Sequence, residues 1–180
     1  MSAQAYIILL RGVMPTGKNK VPMARLREVL TSAGFANVRT YIQTGNVLLS
    51  SPTNGEALAA RMAALIKERI GPDLAVVVRK PAEIERVLKG NPFGAGHDIA
   101  RVFYVLFAAP PPKEKVAALV AADYGAEKLV VTGDAAYLYI PGQYGKGKLS
   151  AAILERKLGV SATMRNDNTM RKLVELSTEG

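Results

Sequence analysis

What most constrains this chain is an order of element signals that occurs twice. Two short hairpin signals, Thr44-Gly45-Asn46 and Thr132-Gly133-Asp134, stand at matching places in it. Ahead of the first lie an apolar strand over residues 6–10 and a helix. Pro22 opens that helix, its apolar positions Leu26, Val29, Leu30 and Ala33 keep helical spacing, and Gly34 ends it. The hairpin joins strands over 38–43 and 47–50. A second helix follows, marked by Leu58, Met62, Leu65 and Ile66 and stopped at Gly71-Pro72, then a β-branched strand over 74–79 and a helix over 81–89.

The second half reads the same way. A strand over 102–107 and a helix over 112–122 lead to a hairpin of 128–131 with 135–140. A helix over 149–158, a strand over 161–165 and a helix over 168–176 complete it. Both last strands end in arginine, Arg79 and Arg165, and a helix follows each. This order is the split βαβ motif. The expected fold is α+β, with two fused ferredoxin-like (βαββαβ) units related by internal duplication. The first unit, with a linking helix, covers 1–90, and the second, with a C-terminal helix, covers 99–180. The boundary falls in 89–98, rich in Gly and Pro.

At 180 residues the chain is long enough to bury such cores. It contains no cysteine, which excludes disulfides, thiolate metal sites and cysteine nucleophiles, and its one histidine excludes a multi-histidine metal centre. No cofactor or metal is expected. The apolar stretch 5–10 is too short for a signal-peptide core, and nothing approaches the length of a membrane span. A soluble, cytoplasmic protein without membrane contact is expected.

The net charge of +9 is unevenly spread. Residues 1–55 carry six basic side chains against Glu28 alone, and residues 142–172 carry seven against Glu155 and Asp167, each segment netting +5. Two basic segments in an otherwise near-neutral chain point to an anionic small molecule or nucleic acid as partner, or to a solvated surface.

The first basic segment contains Gly12, Gly17 and Lys18 at the spacing of a phosphate loop. Asn19 stands where such a loop needs a hydroxyl for Mg²⁺. Pro22 starts the helix beyond Lys20 rather than at the Gly-Lys pair, and an antiparallel split βαβ sheet is not that of a P-loop enzyme. What is left is a basic glycine-containing loop suited to an anion. In a split βαβ unit the first two strands are parallel, so the loop after one and the turn after the other leave the same edge. Arg11, Lys18, Asn19 and Lys20 are thereby expected beside Gln43, Thr44 and Asn46. In the second unit the same reasoning brings residues 141–150, with Tyr144, Lys146 and Lys148, to the end of the last strand, with Arg165 and Asn166. Ser150, Asn166 and Asn168 also suit helix capping. The bound ligand is expected to be a nucleotide or nucleic acid.

Other readings stay open. An enzyme of unknown reaction would use the same loops, with Lys18 or Lys148 as base or nucleophile. His97 and Asp98 are adjacent in an extended loop, point apart and form no dyad. An RNA-binding sheet face would use Tyr104, Tyr137 and Tyr139 for stacking, although residues 134–141 lack the RNP1 pattern and packing is the commoner role of tyrosines in strands. A protein-interaction module would rely on the alanine-rich helices.

The segments LLRGVMPTGKNKVPMARLREVL, VRTYIQTGNVLLSS, YGKGKLS and ATMRNDNTMRKLVEL together resemble the bacterial family known as domain of unknown function 1697, DUF1697, over nearly the whole chain. The resemblance implies two ferredoxin-like halves and no activity. Its characteristic stretches fall here on Arg11, Gly12, 17–22, 41–46, 144–150 and 165–169.

Overall fold

The computed structural model describes residues 2–133 and 135–179. They form eight strands and six α-helices. In chain order these are β1 (Gln4–Leu10), α1 (Met23–Ser32), β2 (Ala36–Tyr41), β3 (Asn46–Ser51), α2 (Gly55–Arg69), β4 (Val76–Arg79) and α3 (Pro81–Lys89). There follow β5 (Val102–Phe107), α4 (Lys113–Val120), β6 (Lys128–Val131), β7 (Ala136–Tyr139), α5 (Ala151–Leu158), β8 (Ala162–Asn166) and α6 (Asp167–Thr178). Two compact units result: one runs through Ile84 and includes the segment from Lys172 onward, the other is Glu85–Arg171. No helix of the described residues is long and apolar enough to cross a membrane.

Each unit has a four-stranded antiparallel sheet, ordered β2-β3-β1-β4 in the first and β6-β7-β5-β8 in the second. Order and pairing are consistent with two ferredoxin-like units. In the first, Tyr6, Ile8 and Leu10 alternate along β1 and bury against Leu26 and Leu30 of α1 and Leu58, Met62 and Ile66 of α2. Full burial of each such aliphatic side chain stabilises by roughly 1.5–3 kcal/mol. In the second, Val105 and Phe107 share a core with Leu119 of α4 and Leu154 and Leu158 of α5.

Matching details recur. Just past β1 the Arg11 amide donates to Ala75 O at 3.0 Å, and just past β5 the Ala108 amide donates to Ser161 O at 2.8 Å. Arg79 and Arg165 each fold a guanidinium Nη1 back onto the carbonyl of the preceding residue at 2.8 Å. The hairpins do not match. Residues 42–45 separate Tyr41 from its partner Asn46, whereas the Thr132 amide already reaches Ala135 O at 2.8 Å. Val47 faces Ile8 and Ala136 faces Val105, so Asn46 corresponds to Ala135, and the similar tripeptides sit out of step. Asp134, the last residue of the second tripeptide, lies outside the described residues.

Candidate functional site

The end of the first sheet at Leu10 is built by two loops. The Leu10 amide donates to Gly45 O at 2.8 Å, joining β1 to the β2–β3 turn. Inside that turn Asn46, fully buried, gives its side-chain amide to Tyr41 O and Thr44 Oγ1, both at 3.0 Å. It is a brace of the turn, out of reach of solvent. Gln43 and Thr44 are exposed. Ile42, a β-branched residue, is held at φ 48° and 48 % exposed. Left-handed backbone there costs about 1–2 kcal/mol.

The facing loop, residues 11–20, closes on itself. The Met14 amide donates to Asn19 O at 3.0 Å, the Lys20 amide to Gly17 O at 3.2 Å, and Asn19 Nδ2 to Gly12 O at 3.3 Å. Those amides are therefore committed within the loop, and α1 starts only at Met23 with Pro22 before it. The resemblance to a phosphate loop ends there, because the amides do not converge on a helix start. Lys18 and Lys20 are exposed and, among the described residues, make no ion pair. Elsewhere in the unit Arg25 reaches Glu28 and Lys67 reaches Asp73. Arg11 is half-buried beside this rim.

The glycine-lysine loop of the second unit takes a different form. Glu127 Oε2 accepts from the Lys148 and Leu149 amides, both at 2.8 Å. A Cβ on Gly147 would stand 1.7 Å from Glu127 Oε1, so only glycine lets the carboxylate seat. Lys148 Nζ donates to Asp123 O at 3.2 Å, Tyr144 lies with its ring 5.4 Å from that of Phe103, and Lys146 is exposed without an ion pair among the described residues. Arg165 is half-buried and gives Nη1 to Thr163 Oγ1 at 2.6 Å; burial pushes its pKa down to about 10, which leaves it charged at neutral pH. Asn166 Oδ1 accepts from the Thr169 amide at 2.9 Å and caps α6, as Ser150 Oγ caps α5 through the Ile153 amide at 3.2 Å. The loop thus holds an anion, and the anion is its own. Glu127→Ala is expected to cost about 1–2 kcal/mol in chemical denaturation. Gly147→Ala is expected to cost about the same, and the double variant little more than either, because both break one clamp.

Tyrosine stacking from a sheet face is overturned for Tyr104 and Tyr137, which are fully enclosed. Tyr104 donates to Asp167 Oδ1 at 2.7 Å, and Asp167 Oδ2 accepts from Arg171 Nε at 2.6 Å. Tyr137 donates to Val87 O at 2.9 Å and meets Tyr104 edge-on. His97 packs edge-on against Tyr139, with Nε2 3.0 Å from Lys128 Nζ. Asp98 instead accepts from the Ala100 amide at 2.9 Å, so His97 and Asp98 form no dyad. Among the described residues no acidic or histidine cluster is placed to hold a metal ion.

Sequence reasoning missed the Glu127 clamp and the Tyr104–Asp167–Arg171 chain. Only the i, i+4 spacing of Asp167 and Arg171 on a helix signalled either.

A family model described as a protein of unknown function, DUF1697, matches residues 3–137. Among solved structures the chain is similar to the conserved bacterial protein SP0830 from Streptococcus pneumoniae. The two share 22 % identity and a TM-score of 0.73, over 98 % of this chain and 99 % of that one. At that identity the likeness speaks to the fold alone. No curated protein matches the chain.

Proposed function

The chain belongs to the DUF1697 family of proteins of unknown function, and from that premise, which carries no activity with it, we propose that it binds a phosphate-bearing ligand, a nucleotide or nucleic acid, at the rim of the first unit. The observation behind this reading is the pair Lys18 and Lys20, exposed and without an ion pair among the described residues, on a loop braced by Asn19. Arg11 and the exposed turn residues Gln43 and Thr44 complete the polar surface. A braced loop loses little entropy on binding, so its charges are presented at small cost. Lys146, Lys148 and Arg165 of the second unit become a secondary surface in this reading, since Glu127 already occupies the loop's amides.

Fluorescence anisotropy with a labelled single-stranded oligonucleotide, alongside a thermal-shift series of nucleotides, tests the proposal. If three cations contact phosphates, raising salt from 50 to 200 mM weakens binding by roughly tenfold or more. Lys18→Ala with Lys20→Ala is expected to remove most of the affinity at unchanged stability. Binding that ignores both salt and the double variant would dispose of the idea. The matched strand orders and the paired arginine bonds also support an origin by internal duplication, with 1–90 and 99–180 as the two copies.

A further inference from the structure

A second concave site lies at the opposite end of the first sheet. Gln4 begins β1 opposite Ser51, the last residue of β3, and β4 ends at Arg79, whereas the basic rim sits at Leu10. The cavity there measures about 900 Å³, and its lining includes Gln4, Tyr6, Thr53, Asn54, Gly55 and Lys80. That volume is far larger than a bare oxyanion needs and lies within the range of small-molecule sites.

Its chemistry is one-sided. Lys80 is the only charged residue in the lining, and among the described residues its ammonium makes no ion pair. Its backbone is fixed, because the Lys80 amide donates to Glu83 Oε2 at 2.7 Å and α3 starts directly after it. Tyr6 is 5 % exposed, its ring part of the core. Its hydroxyl has Gln4 Oε1 as a partner at 3.5 Å, the outer limit of a hydrogen bond. A buried phenol so weakly satisfied gains from a better acceptor. Asn54 commits Oδ1 to the Ala57 amide at 2.9 Å, which leaves its NH₂ donors, and the Thr53 amide is committed to Ser51 Oγ at 3.1 Å, which leaves the Thr53 hydroxyl. Donors therefore outnumber acceptors around a single cation, with no carboxylate in the lining.

We propose that this cavity binds a small hydroxylated phosphate monoester, of the sugar-phosphate type. The phosphate lies against Lys80 and the Tyr6 hydroxyl, and the hydroxylated body lies along Thr53, Asn54 and Gln4. Apart from Pro52, Gly55 and Lys80, the lining side chains are hydroxyl and amide, with Tyr6 almost fully buried and so no open aromatic face, which fits a polar body better than a planar base.

The test is an amide NMR titration of the whole chain with a hexose 6-phosphate, the free hexose and inorganic phosphate. The ester is expected to shift Thr53, Asn54, Gly55 and Lys80 saturably, inorganic phosphate to do so more weakly, and the free hexose not at all. Lys80→Met, at an exposed position, is expected to weaken the ester by about tenfold or more, and Tyr6→Phe by a smaller factor. Lys18→Ala with Lys20→Ala is expected to leave these shifts unchanged, which separates this site from the basic rim. Absence of saturable shifts at the four residues overturns the proposal. So do shifts confined to residues 11–20, or an unaltered affinity in Lys80→Met.

Discussion

Asp167→Ala is expected to lower the unfolding free energy by about 3 kcal/mol, read as a fall in the urea midpoint at constant slope. Asp167 is 6 % exposed and Tyr104 fully buried, so the bond between them is made away from water. Removing the carboxylate orphans the phenol. Burial first, and then the hydrogen bond to Asp167, raise the Tyr104 pKa well above the ordinary phenol range, so the hydroxyl is always the donor. An orphaned buried donor costs about 1–3 kcal/mol, and loss of a bond to a charged group stands at the upper end. The Arg171 side chain is 62 % exposed and returns to water, so the ion pair itself adds little. Two companions isolate the cause. Tyr104→Phe removes the donor together with its need and is expected to cost about 1 kcal/mol. In the Asp167→Ala background Tyr104→Phe should then recover part of the loss. A double variant that is simply additive would show that the orphaned phenol is not the source.

Gly45→Ala is expected to cost about 3 kcal/mol and to weaken any ligand held at the first rim. Gly45 stands at φ 86°, and a Cβ there would lie 2.7 Å from Val13 Cγ2 and 2.8 Å from Leu10 Cβ. Leu10 does not yield easily, since it is fully buried in the core and its amide is bonded to Gly45 O. Left-handed backbone for alanine accounts for about 1–2 kcal/mol and the overpacking for about 1–3 more. Gly34, at φ 87° with nothing within 4 Å of its missing Cβ, is the control. Gly34→Ala is expected to pay the backbone term alone, about 1–2 kcal/mol. Equal losses at the two positions would mean that the Val13 contact carries no energy and that the two loops are not held together there.

Elements with strong local signals were read well from the chain. The helix Pro81–Lys89 and the strands Val102–Phe107 and Lys128–Val131 fall where Pro, apolar spacing and β-branched runs put them. The loop-to-turn meeting at Leu10 and Gly45 was also legible, because the split βαβ order dictates which connections share an edge. The first hairpin was less so. Its first strand, β2, closes at Tyr41 rather than Gln43, where Asn46 turns its side chain inward to brace Tyr41 O. For Tyr104 and Tyr137 the sequence favoured packing over stacking, and their burial, with bonds to Asp167 and Val87, agrees with that.

Local pattern, acting through backbone dihedrals and the periods of helix and strand, was enough to set the kinds of element and their order, but not to put the charge in loops: Arg25, Arg27, Arg156, Lys157, Arg171 and Lys172 stand on helices. It left undetermined which distant side chain would meet which loop. Glu127 reaching the amides of Lys148 and Leu149, and Tyr104 reaching Asp167, depend on strand register and on the room glycine leaves at Gly147. Those are properties of packed surfaces, and they exist only once residues far apart in the chain have been brought together.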